Sequence, residues 1–228
     1  MRWGCTMGGE WQPWLDEATA MRRRRLIGLV LAGLWIAPAV RAGEVADATE
    51  PIAELNQGLL TIMKAGLTTP FPRRYDTLAP IVERVFDLPG ILRACVGPRW
   101  AALGTQEQSD LGEVFRRFTV ASYVANFAQY SGERFEVSPE SHPGAGGEIV
   151  ETRIMPASGN AVRIDYLMRQ QAEGWKVVDV LLNGSISRVA VQRSDFRGLL
   201  GGATDASGLI ASLQQKVADL SGGTLSAG

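Results

Sequence analysis

The sequence predicts an α+β domain, with a helical first half, a four-stranded antiparallel sheet, and helices again at the C-terminal end. Two observations carry this. Apolar residues recur every three or four positions from Ile52 to Tyr130, every two from Arg134 to Met168, and every three or four again from Val189 onward. The composition, 46% hydrophobic and 21% charged over 228 residues, is that of an ordinary globular chain. The length allows one domain with an appendage, or two small domains.

The appendage comes first. Met21 is followed by Arg22, Arg23, Arg24 and Arg25, then by the apolar run Leu26 to Ala37, and Val40-Arg41-Ala42 supplies small residues at a cleavage spacing. These three regions predict a cleavable signal peptide over residues 21–42 and hence an exported, periplasmic chain. A retained anchor is the alternative, but the uncharged run from Leu26 to Val40 falls short of the roughly 20 residues a membrane span needs. Residues 1–20 hold three tryptophans, a proline and three acids, and read as an extension upstream of the natural start at Met21. The domain proper is then 43–228. Six of the 23 basic and three of the 24 acidic residues precede it, leaving 17 basic against 21 acidic. That balance offers no basic footprint for nucleic acid. Cys5 also lies upstream, so Cys95 is alone in the exported chain and reads as a small buried hydrophobe.

Within the domain, Thr49 and Pro51 open an amphipathic helix with Ile52, Leu55, Leu59 and Ile62 on one face. Gly66 and the Thr68 to Pro72 stretch end it. Tyr75, Leu78, Val82 and Val85 mark a second helix, and Ile91 to Val96 a short third. Thr105-Gln-Glu-Gln108 has the capping-box pattern and predicts a long helix from Gln106 to Tyr130, striped by Leu111, Val114, Phe115, Phe118 and Ala121. Four strands follow, over Arg134–Ser138, Glu148–Met155, Val162–Arg169 and Trp175–Leu182. Short connections make the last three an antiparallel meander. Val189–Leu200 is helical, and Ser207 caps a last helix bearing Ile210, Leu213, Val217 and Leu220.

Catalytic chemistry is sparse. The chain has no G-x-S-x-G, H-E-x-x-H, Walker or Rossmann pattern, so no cofactor or metal is expected. His142 is the sole histidine and reads as a surface-loop residue in Pro139–Gly144. Asp165 falls on the polar side of its strand's alternation and is expected to be solvated. Asp179 interrupts an apolar strand between Val178 and Val180, which suggests either partnership with an arginine or loop amide, or an acid/base role beside Tyr166 in a small exported enzyme.

Several spaced motifs then occur in order. Phe86-Asp-Leu88, Gly97-Pro-Arg-Trp100 and Gln106-Glu-Gln108 are followed by Val162 to Tyr166, Trp175-Lys-Val-Val-Asp-Val180, Asn183-Gly-Ser-Ile-Ser187 and Arg193-Ser-Asp-Phe196. From residue 50 to 222 the chain resembles the MlaC, or toluene-tolerance, family of periplasmic lipid-binding proteins. Tyr130-Ser-Gly-Glu-Arg-Phe-Glu-Val137, Tyr166-Leu-Met-Arg169 and Arg193-Ser-Asp-Phe196 are most similar to its hopanoid-biosynthesis-associated branch, HpnM.

The resemblance implies a curved sheet and helices enclosing an apolar lipid cavity, a phospholipid or hopanoid ligand, and docking on membrane-bound transporter components. It implies a carrier and not an enzyme. A 16-carbon chain in water costs about 12 kcal/mol at ~0.8 kcal/mol per methylene, so the cargo has to travel sheltered. The expected wall comprises Phe118, Val124, Phe127 and Tyr130 from the long helix, Val162, Ile164 and Tyr166 on one strand, and Trp175 and Val177 on the next. Taken singly, each of these is more often plain core than cavity wall, and periodicity does not separate the two. The hydroxyls of Tyr123, Tyr130 and Tyr166 either mark a polar mouth or satisfy core amides. A third reading is an envelope adaptor that docks without transporting lipid.

Overall fold

The computed structural model describes residues 47–200 and 205–225, all within a compact unit spanning Glu44–Gly228. The expected signal peptide and upstream extension lie outside the described residues. Helices α1 (Glu50–Ala65), α2 (Phe71–Val85) and α3 (Leu88–Val96) lead through a 3-10 turn at Gly97–Ala102 into α4 (Thr105–Asn126). Strands β1 (Arg134–Val137), β2 (His142–Gly144), β3 (Gly147–Met155), β4 (Val162–Gln171), β5 (Gly174–Leu182) and β6 (Ile186–Ser187) follow, then α5 (Arg188–Leu200) and α6 (Ser207–Ser221).

The helices form where the stripes predict, and they bury those stripes. Ile52, Leu55, Leu59 and Ile62 of α1 are sealed against Leu78, Val82 and Val85 of α2. Each such side chain contributes about 1.5–3 kcal/mol of burial. The two helices approach closely at Gly58, where a β-carbon would stand 2.6 Å from the Ile81 Cδ1. Glu54 and Arg84 pair across the outside of the same contact.

Helix boundaries depart from the sequence reading in a consistent way. The Thr49 hydroxyl bonds back to Asp47 at 2.8 Å and caps nothing. At α4 the capping residue is Gly104, one position earlier than expected, and Glu107 accepts from the Gly104 amide at 2.8 Å. Gln108 instead donates to the carbonyls of Trp100 and Leu103. Ser207 likewise sits inside α6, its amide and hydroxyl held by Asp205. Helix α4 ends at Asn126 and not at Tyr130, because Phe127 leaves helical geometry (φ −110, ψ 52) to join an aromatic cluster. The buried Arg74 guanidinium covers the freed Val124 carbonyl at 3.3 Å and stacks over Phe71.

The sheet is antiparallel in the order β1-β3-β4-β5-β6, with β2 also on β3. It has six strands where four were expected. The two additions are the short β2 and β6, neither long enough to show alternation. The glycine-rich segment between β2 and β3 is a tight turn in which Ala145 (φ 39) and Gly146 (φ 78) both have positive φ, as a two-residue type I′ hairpin requires. His142 therefore lies on a strand, exposed, with its Nε2 3.1 Å from Glu151.

Asp165 corrects another expectation. It is 1% exposed, and Arg163 grips both its oxygens at 2.6–3.0 Å beneath the Asn183-Gly184 turn. Alternation placed it on the outer face correctly, but the fork of a neighbouring arginine and a turn overhead shield it from water.

Candidate functional site

The pairing register sorts the sheet into two faces. Phe135 and Val137 of β1 stand level with Ile154 and Thr152 of β3, which in turn oppose Val162 and Ile164 of β4. Tyr166 opposes Val150 on one side and Val180 on the other, and a bulge at Leu167/Met168 sets Met168 against Val177. Except for Thr152, whose hydroxyl donates to the Ile164 carbonyl, these residues join or pack on one apolar cluster with the helices. Arg134, Glu136, Arg153, Arg163 and Lys176 take the other face.

Cover over the inner face is uneven. Val150, Met168 and Val177 are completely buried, whereas Phe135, Val137, Ile154, Val162, Val180 and Leu182 are only partly so. The partly covered group occupies one end of the sheet, around the β3–β4 connection, and extends along β5. An aromatic chain borders it: Phe86 lies 5.5 Å from Tyr123, Tyr123 stacks on Phe127 at 6.1 Å, and Phe127 meets Phe135 at 5.9 Å. Phe86 is itself tied to the sheet by its bridge to Val177.

Tyr123 combines two properties that core residues do not usually share. Burial raises its hydroxyl well above the ordinary pKa, yet its side chain is only partly buried. Its ring is held between Phe86 and Phe127 while part of the side chain remains accessible. Tyr166, 3% exposed, is also shifted upward by burial. Neither hydroxyl finds a hydrogen-bond partner among the described residues, and neither is sealed in the manner of the Tyr75 hydroxyl. The arrangement is an apolar sheet face, partly uncovered at one end and along β5, with an aromatic border beside it.

A family model described as MlaC protein matches residues 53–215. The chain belongs to the MlaC family. No curated protein matches it. Among solved structures, this MlaC-family chain matches the phospholipid-binding protein from Ralstonia solanacearum in complex with a phospholipid. The TM-score is 0.66 at 17% identity, covering 77% of this chain and 99% of that one. At that identity the likeness is one of fold, and it agrees with the α+β architecture read from the sequence.

The nine expected wall residues do not form one site in this MlaC-family protein. Val162, Ile164 and Tyr166 lie in a row on the inner face, and Phe127 reaches the same end of the sheet through Phe135. Trp175 pairs with Gln170 at the far end of β4, roughly 25 Å from Val162 at about 3.3 Å per residue. Val177 and Val124 are both fully buried. Phe118 is partly buried with the Lys216 ammonium of α6 5.7 Å from its ring centre, and Tyr130 is 43% exposed under Lys64. Sequence reasoning passed over Phe135, Val180 and Leu182 as wall positions, although they alternate on the same faces. Nothing in the sequence singles out Arg188, which the fold places at the start of α5 within electrostatic reach of Tyr123.

Asp179 is committed elsewhere. Its Oδ1 accepts from the amides of Val180 at 2.8 Å and Val189 at 3.0 Å, and its other oxygen takes the Ser187 hydroxyl, which in turn accepts from Ala190. It therefore anchors the first turn of α5, the loop-amide role that was one of its two sequence readings. A groove of about 260 Å³ over β1 and β3 is lined by Glu136, Glu151 and Arg153, with Val137, Ser138 and Thr152. Its charged lining is unsuited to a hydrocarbon chain.

Proposed function

We propose that this MlaC-family protein is a periplasmic lipid carrier. It takes the acyl chains of a phospholipid, or the ring system of a hopanoid, into the space between the inner face of the sheet and the helices. It then shuttles the lipid between the inner and outer membranes by docking on membrane-bound transporter components. The motifs shared with the HpnM branch favour a cell that makes hopanoids. Export through residues 21–42 puts the carrier between the two membranes.

The observation that carries the reading is the run of apolar inner-face residues, Phe135, Ile154, Val162, Val180 and Leu182, left partly uncovered beside the partly buried Tyr123 and the buried Tyr166. An apolar wall of this kind gains about 25 cal/mol for each Å² of hydrocarbon it shields from water, and it needs no catalytic group to do so. The engagement of Asp179 by three donors leaves the enzyme reading without its acid.

The test is native mass spectrometry of the protein released from periplasm without detergent, with lipid analysis of what dissociates. A stoichiometric phospholipid or hopanoid is the expected result. An empty protein that also takes nothing from vesicles would overturn the carrier reading in favour of an adaptor.

A further inference from the structure

Three connections meet at the partly uncovered end of the sheet: residues 66–70 between α1 and α2, 127–132 between α4 and β1, and 156–161 between β3 and β4. Side chains tie them together. The buried Arg74 guanidinium donates to the Thr69 carbonyl at 3.2 Å and to the Val124 carbonyl at 3.3 Å, joining the first connection to the end of α4. Lys64, in the last turn of α1, stands 5.4 Å from the centre of the Tyr130 ring. A β-carbon on Gly132 would lie 3.2 Å from that of Ala157, which sets the second connection against the third. None of the residues in these three stretches carries a charge, in a chain that is 21% charged, so this end can approach a lipid surface without stripping water from ions.

The same rim holds two of the three large apolar side chains that are exposed among the described residues, Leu67 at 54% and Tyr130 at 43%. Exposed cations flank them: Lys64, Arg73 in the first turn of α2, and Arg134 at the start of β1. None of these three forms an ion pair among the described residues. Glu133, beside them in sequence, accepts from the Ser131 amide at 2.6 Å. The pattern matches the two forces that hold a protein segment at a bilayer surface, burial of apolar area and attraction to anionic headgroups. A tyrosine, with an apolar ring and a polar tip, also suits the headgroup layer.

We infer that this end of the molecule is a membrane-contact face, in which Leu67 and Tyr130 enter the headgroup layer of an anionic bilayer while Lys64, Arg73 and Arg134 lie against its phosphates. This goes beyond the carrier reading, because it concerns where the protein touches a membrane and does not depend on what it carries. It would also set the uncovered inner-face residues Phe135, Ile154 and Val162 towards the bilayer.

The experiment is flotation of the protein purified from periplasm with protein-free vesicles, one set of phosphatidylcholine alone and one of phosphatidylcholine and phosphatidylglycerol in equal parts. Wild type is expected to float with the mixed vesicles, less with the neutral ones, and to come off as salt is raised. The triple variant Lys64→Gln/Arg73→Gln/Arg134→Gln is expected to lose about fivefold per cation on the mixed vesicles and little on the neutral ones. Leu67→Ser/Tyr130→Ser is expected to lose about tenfold or more on both. All five positions are exposed, so the thermal midpoints should stay near wild type and show that the variants are folded. Leu199→Ser, on α5, removes the third exposed apolar side chain and is expected to float as wild type does.

Wild type that stays off the mixed vesicles would overturn the contact, and so would rim variants that float like wild type or a Leu199 variant that loses as much as they do. Wild type that ignores protein-free vesicles and floats only with vesicles of whole envelope, proteins included, would give the rim to a protein partner and overturn the bilayer assignment. Lipid analysis of the same purified protein reads the carrier separately. A protein that carries no lipid yet floats through the rim would overturn the carrier reading and support the contact.

Discussion

Asp179 of β5 and Cys95 of α3 lie within electrostatic reach of each other where α3 packs on β5 and α5, and each shows how a residue of reactive type is put to structural use. The Asp179 carboxylate gathers the amides of Val180 and Val189 and the Ser187 hydroxyl, and the negative charge also suits the positive end of α5. Asp179→Ala should therefore lower stability by about 1–2 kcal/mol, read as a shift in the urea midpoint at constant slope. Once that loss is compensated by working below the transition, lipid uptake should match wild type; abolished uptake in a folded variant would reopen a direct role for the acid. Cys95 is 1% exposed and packs against Val189 and Gln192, and burial pushes its thiol up to about 12. The folded pKa exceeds the unfolded one, so the stabilisation is complete below about pH 9 and is lost as pH rises from there towards 12, by about 1.4 kcal/mol per pH unit. Alkylation at pH 8 should accordingly be undetectable in the native protein and rapid in denaturant. Fast native labelling would show that α3 and α5 separate in solution.

At the scale of elements, the weakest tolerance should lie in the β2–β3 hairpin. A β-carbon on Gly147 would stand 2.1 Å from the Met168 carbonyl oxygen, a backbone atom held in the β3–β4 ladder. Gly147→Ala must push the two strands apart, and a loss of more than about 2 kcal/mol in chemical denaturation is expected, together with faster amide exchange at Glu148 and Met168. Neutral behaviour would mean that the hairpin is not docked as described. The same region shows why the sequence was legible only in part. Strands β3, β4 and β5 run nine or ten residues and expose their alternation, so they could be read directly. His142-Pro-Gly144 has no alternation to read, and β2 exists because the turn at Ala145-Gly146 folds it back onto β3. The helix stripes were equally legible, but the caps were off by one residue. Gly104 has no side chain to advertise a cap, and the bond comes from Glu107 reaching back. Asp165 was misjudged for a related reason, since its shelter is a turn some twenty residues away in sequence.

At the scale of the whole molecule, the difference between core and cavity wall depends on coverage, which hydrophobic periodicity does not encode. Val177 and Val162 both alternate inward on long strands, and only the packing separates them: Val177 is fully buried against the Phe86 bridge, while Val162 remains partly uncovered at the open end of the inner face. A bulky residue should therefore act differently at the two positions. Val177→Trp overfills a sealed core and should cost about 1–3 kcal/mol of stability. Val162→Trp has space to enter and should leave the thermal midpoint within a few degrees of wild type while obstructing the lipid. Each methylene excluded from the wall forfeits about 0.8 kcal/mol, so displacing only two of them should weaken lipid uptake by somewhat more than tenfold. The informative result is the pairing of thermal midpoint and uptake in the two variants measured side by side. Loss of stability at Val177 with loss of uptake alone at Val162 would locate the cargo at the β3–β4 end of the sheet. The reverse pattern would move it to the end that carries Trp175.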